Sequence, residues 1–216
     1  MKSSEFITES TNTNLLIIDV QPDYDNWCNR LVPGVTKMIK QSNGRVVIVY
    51  NDFGGGDSAD DVYHYLAGHS EDYDGYDYDE ETDDYIDAVP TKLETKLQSA
   101  EYMQKEFGFM RNMMDQNISD AVIIEILKTM YMQRVNDSRD LELETMSARV
   151  QTDIENNGYD WDSEGISVQD WIPIKFLKSI SPFYMMGGGR NECLREIELL
   201  CNAFNIRYKR IDSLIY

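Results

Sequence analysis

Tyr184-Met185-Met186-Gly187-Gly188-Gly189-Arg190-Asn191-Glu192-Cys193-Leu194-Arg195-Glu196 takes the chain from an apolar run, through three glycines and a polar turn, into a segment that opens with a thiol. After Cys193 the apolar positions Leu194, Ile197, Leu200, Cys201 and Phe204 recur at helical spacing. The stretch reads as strand, tight turn and helix, with the cysteine in the first helical turn. Peptide N–H groups left over at a helix start, together with the helix dipole, favour a thiolate and can hold an oxyanion. Glycines there let backbone approach a ligand closely. The alternative is a buried structural cysteine beside a glycine turn.

Working outward, Leu15-Leu16-Ile17-Ile18 is a short continuous apolar run, the pattern of a parallel strand buried on both faces. It ends at Asp19-Val20-Gln21-Pro22-Asp23-Tyr24, where Pro22 stops the strand and leaves Asp19 at its C-terminal edge. Open α/β sheets bind their ligands at that edge. A helix is expected within residues 33–43, and a second strand over 45–50 leads into Asn51-Asp52-Phe53-Gly54-Gly55-Gly56. A last strand is expected over 207–211, and no internal repeat is present. Strands alternating with helices imply an α/β fold with a mostly parallel sheet covered on both faces.

Composition narrows the function classes. The 216 residues suffice for one sizeable α/β domain or two small ones, and an apolar fraction of 42% suits a folded globule. No apolar run reaches the ~20 residues of a membrane helix, and residues 1–13 read as a polar leader without a signal core. Cys28, Cys193 and Cys201 make no obvious disulfide framework, which points to a cytoplasmic, reduced protein. A net charge of −19 argues against binding nucleic acid through its phosphates and against anionic membranes. Mimicry of DNA by carboxylates stays open beside the plainer reading, solubility.

Residues 57–87 hold thirteen Asp and Glu and no Lys or Arg, interleaved with six tyrosines. Self-repulsion predicts a surface insertion or lid there; the acids lack EF-hand spacing for calcium. From Pro90 a helical pattern runs through Leu93, Leu97 and Met103, interrupted at Lys105-Glu106-Phe107-Gly108-Phe109. Residues 119–134 form the clearest helix, capped by Ser119 or Asp120. A turn at 136–140, a polar helix over about 141–156 and a turn at 160–165 follow. Pro173 can begin a short helix before the strand at 183–186. His64 and His69 read as solvated.

Three of these stretches together resemble the isochorismatase-like cysteine hydrolase family. The run Leu15 to Tyr24 looks like its first strand, with apolar residues, Asp, an apolar residue and Gln. Lys105-Glu106-Phe107-Gly108-Phe109 is similar to its lysine segment, and Gly188 to Leu194 to its glycine-to-cysteine turn. The order Asp, Lys, Cys matches as well. The resemblance covers residues 14–53, 103–134 and 181–216. It implies a three-layer α/β/α, Rossmann-like domain over 14–216, with insertions at about 54–100 and 135–172.

The resemblance further implies a triad: Cys193 as nucleophile, Asp19 as general base and Lys105 as orienting cation. The chemistry agrees, because a free thiol is mostly protonated at neutral pH and needs a base or positive field to attack. Gly188, Gly189, Arg190, Asn191 and Glu192 would shape the oxyanion turn; Gln21, Tyr24, Asp52 and Phe109 would lie near substrate. Lys92, Lys96 and Lys175 compete with Lys105. Departures from the family are Asn191, Glu192 and Leu194 around the thiol, and an inward Glu192 would raise its pKa. No His follows Asp52 closely, so neither a metal nor another cofactor is expected. The implied reaction is hydrolysis of a carboxamide or similar C–N bond in a small molecule. The alternative is an inactive chain of the same fold, binding or inhibiting through its acidic face. Many members of the family self-associate, so a homo-oligomer is compatible with either.

Overall fold

Four consecutive β-branched or leucine side chains can be buried only if both faces of their strand are covered, and that is how β1 (Asn14–Ile18) sits: Leu15, Leu16, Ile17 and Ile18 are all buried. The computed structural model describes residues 13–51, 56–68, 78–79, 84–85, 91–104, 110–168 and 172–216. The chain divides into two compact units. The first is Met1–Lys105 with Phe183–Gly188 and Lys209–Tyr216, and the second is Glu106–Pro182 with Gly189–Tyr208.

In the first unit, β1 leads through a one-turn helix, α1 (Asp25–Cys28), into α2 (Val32–Gln41), then β2 (Val46–Tyr50). Pro33 lies in the first turn of α2, and Val32, Val35, Thr36 and Ile39 form its buried stripe. Next come α3 (Ala59–Gly68), a two-residue ladder of β3 (Tyr78–Asp79) with β4 (Asp84–Tyr85), α4 (Lys92–Gln98) and β5 (Glu101–Gln104). The chain returns later to supply β6 (Phe183–Gly187) and β7 (Tyr208–Arg210). The sheet order is β5-β2-β1-β6-β7. Leu15 pairs with Val46 on one side and Tyr184 on the other, in parallel register, and β2 pairs in parallel with β5. The fold is therefore α/β with a five-stranded parallel sheet. Leu15, Ile17, Val46, Ile48 and Met186 of the strands meet Val35, Ile39, Leu66, Leu93 and Leu97 of the helices in one core. Each such side chain contributes roughly 1.5–3 kcal/mol by leaving water.

Two segments differ from the sequence reading. The acidic stretch is not loop throughout, because α3 buries Val62, Leu66 and Ala67 in that core. The charges of α3 lie on its outer face: Asp60, Asp61 and His64 are exposed. The helical pattern from Pro90 ends at Gln98, and Met103 belongs to a strand at the sheet edge.

The second unit is helical: α5 (Arg111–Asp115), α6 (Asp120–Gln133), α7 (Ala148–Asn157), α8 (Ile172–Ile180) and α9 (Cys193–Ala203). Val122, Ile123, Ile126, Leu127 and Met130 bury the inner face of α6, and the Tyr131 ring meets Phe204 edge-on at 5.0 Å. Arg195 of α9 pairs with Asp120 at the start of α6. The polar helix begins later than about 141, because Leu141 and Met146 are spent as buried anchors and Ser147 caps α7. Residues 160–165 form a turn in which the Ser163 amide donates to Asp160 Oδ1 at 3.3 Å. Among the described residues no helix is long and apolar enough to cross a membrane.

Candidate active site

Asp19 follows β1 directly and is wholly buried, with a left-handed backbone at φ 49°. A non-glycine residue held there costs on the order of 1–3 kcal/mol, although Asp tolerates it better than most. Two neighbours fix it. The Asp19 N–H donates to the Val49 carbonyl at 2.9 Å, and its carbonyl accepts from the Tyr216 hydroxyl at 3.3 Å.

Two residues on, Gln21 ties the loop after β1 to the loop after β2. Its Oε1 accepts from the Asn51 amide at 2.8 Å, and its Nε2 donates to the Asn51 carbonyl at 2.8 Å and to Asp57 Oδ2 at 3.0 Å. The Asp23 amide donates to the same Asp57 oxygen at 2.8 Å. Asn51 Nδ2 donates in turn to the Tyr24 hydroxyl at 3.2 Å. Gln21, Asn51 and Asp57 are buried and every polar end of the Gln21 amide is used, as a low-dielectric setting demands. Tyr24 packs 6.0 Å from Trp27, whose side chain is exposed.

The neighbouring strand β6 ends at Gly187, with φ 77°, and Gly188 follows it at φ 68°. A Cβ on Gly187 would stand 2.3 Å from the Ile18 carbonyl oxygen and 2.6 Å from Val20 Cγ2. Only glycine allows the ends of β1 and β6 to approach this closely.

In the second unit the turn before α9 is built on Gly189, whose carbonyl accepts from the amides of Glu192 at 3.0 Å and Leu194 at 3.3 Å. Those two amides are thereby committed to the turn. Arg190, Asn191 and Glu192 are exposed, and Cys193 is half-buried at the first position of α9. Glu192 turns away from a purely local role: its Oε1 lies 3.0 Å from Arg111 Nη2, and Arg111 Nε also reaches Asp115 Oδ2 at 3.1 Å.

The other thiols stand in contrasting settings. Burial pushes Cys201 up to about 12, with Glu198 adding to it. Burial also raises Cys28, whose sulfur lies 3.4 Å from both the Gln21 carbonyl and the Tyr65 hydroxyl. Tyr65 donates onward to Asp25 Oδ1 at 2.8 Å.

Asp19, Gln21, Tyr24 and Gly188 thus belong to the first unit, and Gly189, Arg190, Asn191, Glu192 and Cys193 to the second. Asp52, Lys105 and Phe109 lie outside the described residues. Of the competing lysines, Lys92 and Lys175 are exposed and Lys96 is half-buried. Sequence reasoning did not single out Asn51, Asp57, Arg111 or Tyr216. Asn51 carried a signal, being the polar residue that directly ends the second strand; Asp57 was hidden among its acidic neighbours. Among the described residues no group of three or more His, Cys, Asp and Glu is arranged to hold a metal ion. Compared with protein-family models, curated proteins and solved structures, the chain matches none.

Proposed function

We propose that the chain is a cysteine hydrolase of the isochorismatase-like kind, acting on a carboxamide or similar C–N bond of a small molecule. The observation that carries this reading is Asp19: a carboxylate buried completely, in a strained backbone conformation, at the C-terminal end of a central parallel strand. Strain at such a position persists where function requires the geometry, and parallel sheets place their chemistry at that end. Further support comes from Cys193, the least buried of the three thiols and the one that opens a helix.

In this reading Asp19 takes the Cys193 proton as the sulfur attacks the carbonyl carbon. The oxygen gains the electron pair and is held by amide N–H groups of the 189–193 turn other than that of Glu192. Collapse of the tetrahedral species breaks the C–N bond, and the proton leaves with the nitrogen as ammonia or an amine. Water then adds to the thioester, giving the acid and restoring the thiol. Lys105 is assigned the orienting cation from the resemblance alone. The same assignment gives the fold the α/β/α layering and topology of that family.

The test is ammonia release from a panel of primary amides and N-carbamoyl compounds, with intact-mass detection of an acyl adduct. Turnover by the wild-type chain that vanishes in Cys193→Ser and falls at least about 100-fold in Asp19→Asn is the expected result. Turnover that survives Cys193→Ser would overturn the nucleophile.

A further inference from the structure

The segment after β7 is fastened to the end of the sheet at several points. The Ile211 amide donates to the Met185 carbonyl at 3.0 Å, continuing the edge of β6. A single 3-10 turn, Asp212–Leu214, follows. Leu214 drops onto α2 at Gly34, where a Cβ would come within 2.4 Å of Leu214 Cδ2. Ile215 is buried. These anchors deliver Tyr216 across the ends of β1 and β6 together: its amide donates to the Gly188 carbonyl at 3.3 Å, and its hydroxyl to the Asp19 carbonyl at 3.3 Å.

Both acceptors belong to residues with left-handed backbone, φ 49° at Asp19 and 68° at Gly188. A residue in a sparsely populated conformation stays there only if its surroundings over-determine it. For Asp19 the Val49 carbonyl fixes the peptide before the residue, and Tyr216 fixes the peptide after it. At Gly188 the peptide is planar, so fixing its carbonyl also sets the direction of the Gly189 N–H on the opposite side.

We propose that Tyr216 is a positioning residue of the hydrolase: it clasps the carbonyls of Asp19 and Gly188 and so holds the general base and the first amide of the oxyanion turn in their working orientation. The inference rests on the hydrolase reading for its consequence, while the clasp itself stands on the geometry. Tyr216 touches no reacting atom in this scheme and acts only through the two backbone peptides.

The experiment compares wild type with Tyr216→Phe, which keeps the ring in its packing and removes only the hydroxyl. Two measurements are made on the full chain: steady-state hydrolysis of the best amide from the panel, and hydrogen exchange of peptides covering 17–21 and 187–190. A lost positioning hydrogen bond predicts a fall of about 10-fold in kcat with KM unchanged. Faster exchange confined to 17–21 is expected beside it, because the amide of residue 216 still holds the Gly188 carbonyl. A raised KM at constant kcat would mean that Tyr216 meets substrate instead, and would overturn the proposal. So would unchanged kcat. If wild type turns over no amide, the hydrolase reading has failed by itself, and exchange decides the clasp: unchanged rates in Tyr216→Phe overturn it, faster rates support it. Should Tyr216→Phe fold poorly, Gly34→Val, which crowds Leu214 and so loosens both bonds of residue 216, must quicken exchange at 17–21 and at 187–190.

Discussion

Glu192 Oε1 lies 3.0 Å from Arg111 Nη2, so the carboxylate next to Cys193 in sequence is committed to a guanidinium. The pair is half-exposed, at 36% for Arg111 and 53% for Glu192, which limits it to the modest energy of a solvent-screened ion pair. Its consequence is electrostatic. A lone carboxylate beside a thiol opposes thiolate formation, and the guanidinium cancels much of that field.

Replacing Arg111 with Gln should therefore slow alkylation of Cys193 by iodoacetamide at pH 7 by roughly two- to five-fold. Adding Glu192→Gln in the same chain should restore the rate. A double variant no faster than Arg111→Gln alone would show that the pair does not tune the thiol.

Gly187 admits no side chain. Its φ of 77° is costly for any L-residue, and a Cβ would lie 2.3 Å from the Ile18 oxygen, a backbone atom that cannot rotate away. Gly187→Ala should cost on the order of 3 kcal/mol, from strain plus displacement of β6 against β1. Urea unfolding reads this directly as a lower midpoint with an unchanged slope. Gly158, at φ 66° with open space around it, is the control, because its Ala variant should lose only the backbone term.

How much of this was legible beforehand varies with the kind of signal. β1 and β2 announced themselves, because a run such as Leu15 to Ile18 between polar residues fits few structures other than a doubly buried strand. The position of Asp19 followed from Pro22. β5 did not, because an edge strand needs no apolar run: Glu101, Tyr102 and Met103 are half-buried and Gln104 is exposed. The helix α3 was obscured by its charge, yet a local signal was present. Ser58 and Asp61 form a reciprocal cap, with the Ser58 amide donating to Asp61 Oδ2 at 2.7 Å and the Asp61 amide to the Ser58 hydroxyl oxygen at 3.2 Å. Thr91 and Glu94 do the same for α4. What no local pattern could reveal were contacts spanning the chain, such as Tyr216 on Asp19 or Asp57 on Gln21. These depend on strand order, and a sequence carries that only through the completed sheet.

Gln21 is a structural strut whose loss is predictable from its inventory of bonds. Gln21→Ala strands the buried Asn51 amide and removes one donor from Asp57. An unsatisfied buried donor beside a carboxylate short of one partner should cost about 2–4 kcal/mol. Thermal unfolding and urea titration should agree on that loss. A variant within about 0.5 kcal/mol of wild type would mean that water replaces the amide at no cost.

The last prediction concerns alkaline pH. Burial, reinforced by Glu198, raises the Cys201 thiol from the ordinary 9.0 to about 12. The unfolded chain releases that proton near pH 9, while the native chain keeps it to about 12. Within this window the native state binds more protons than the unfolded one, so stability falls as pH rises. The contribution is fully present below about pH 9 and is lost as pH climbs towards the native value, up to about 4 kcal/mol in all. Cys201→Val has nearly the same volume and no proton to lose. It should match wild type at pH 7 to within about 1.5 kcal/mol and show a shallower decline between pH 9 and pH 12. Urea unfolding across that range measures both slopes, and the other titrating groups, common to the two chains, cancel in their difference. Parallel curves would mean that the buried thiol does not set the alkaline limit.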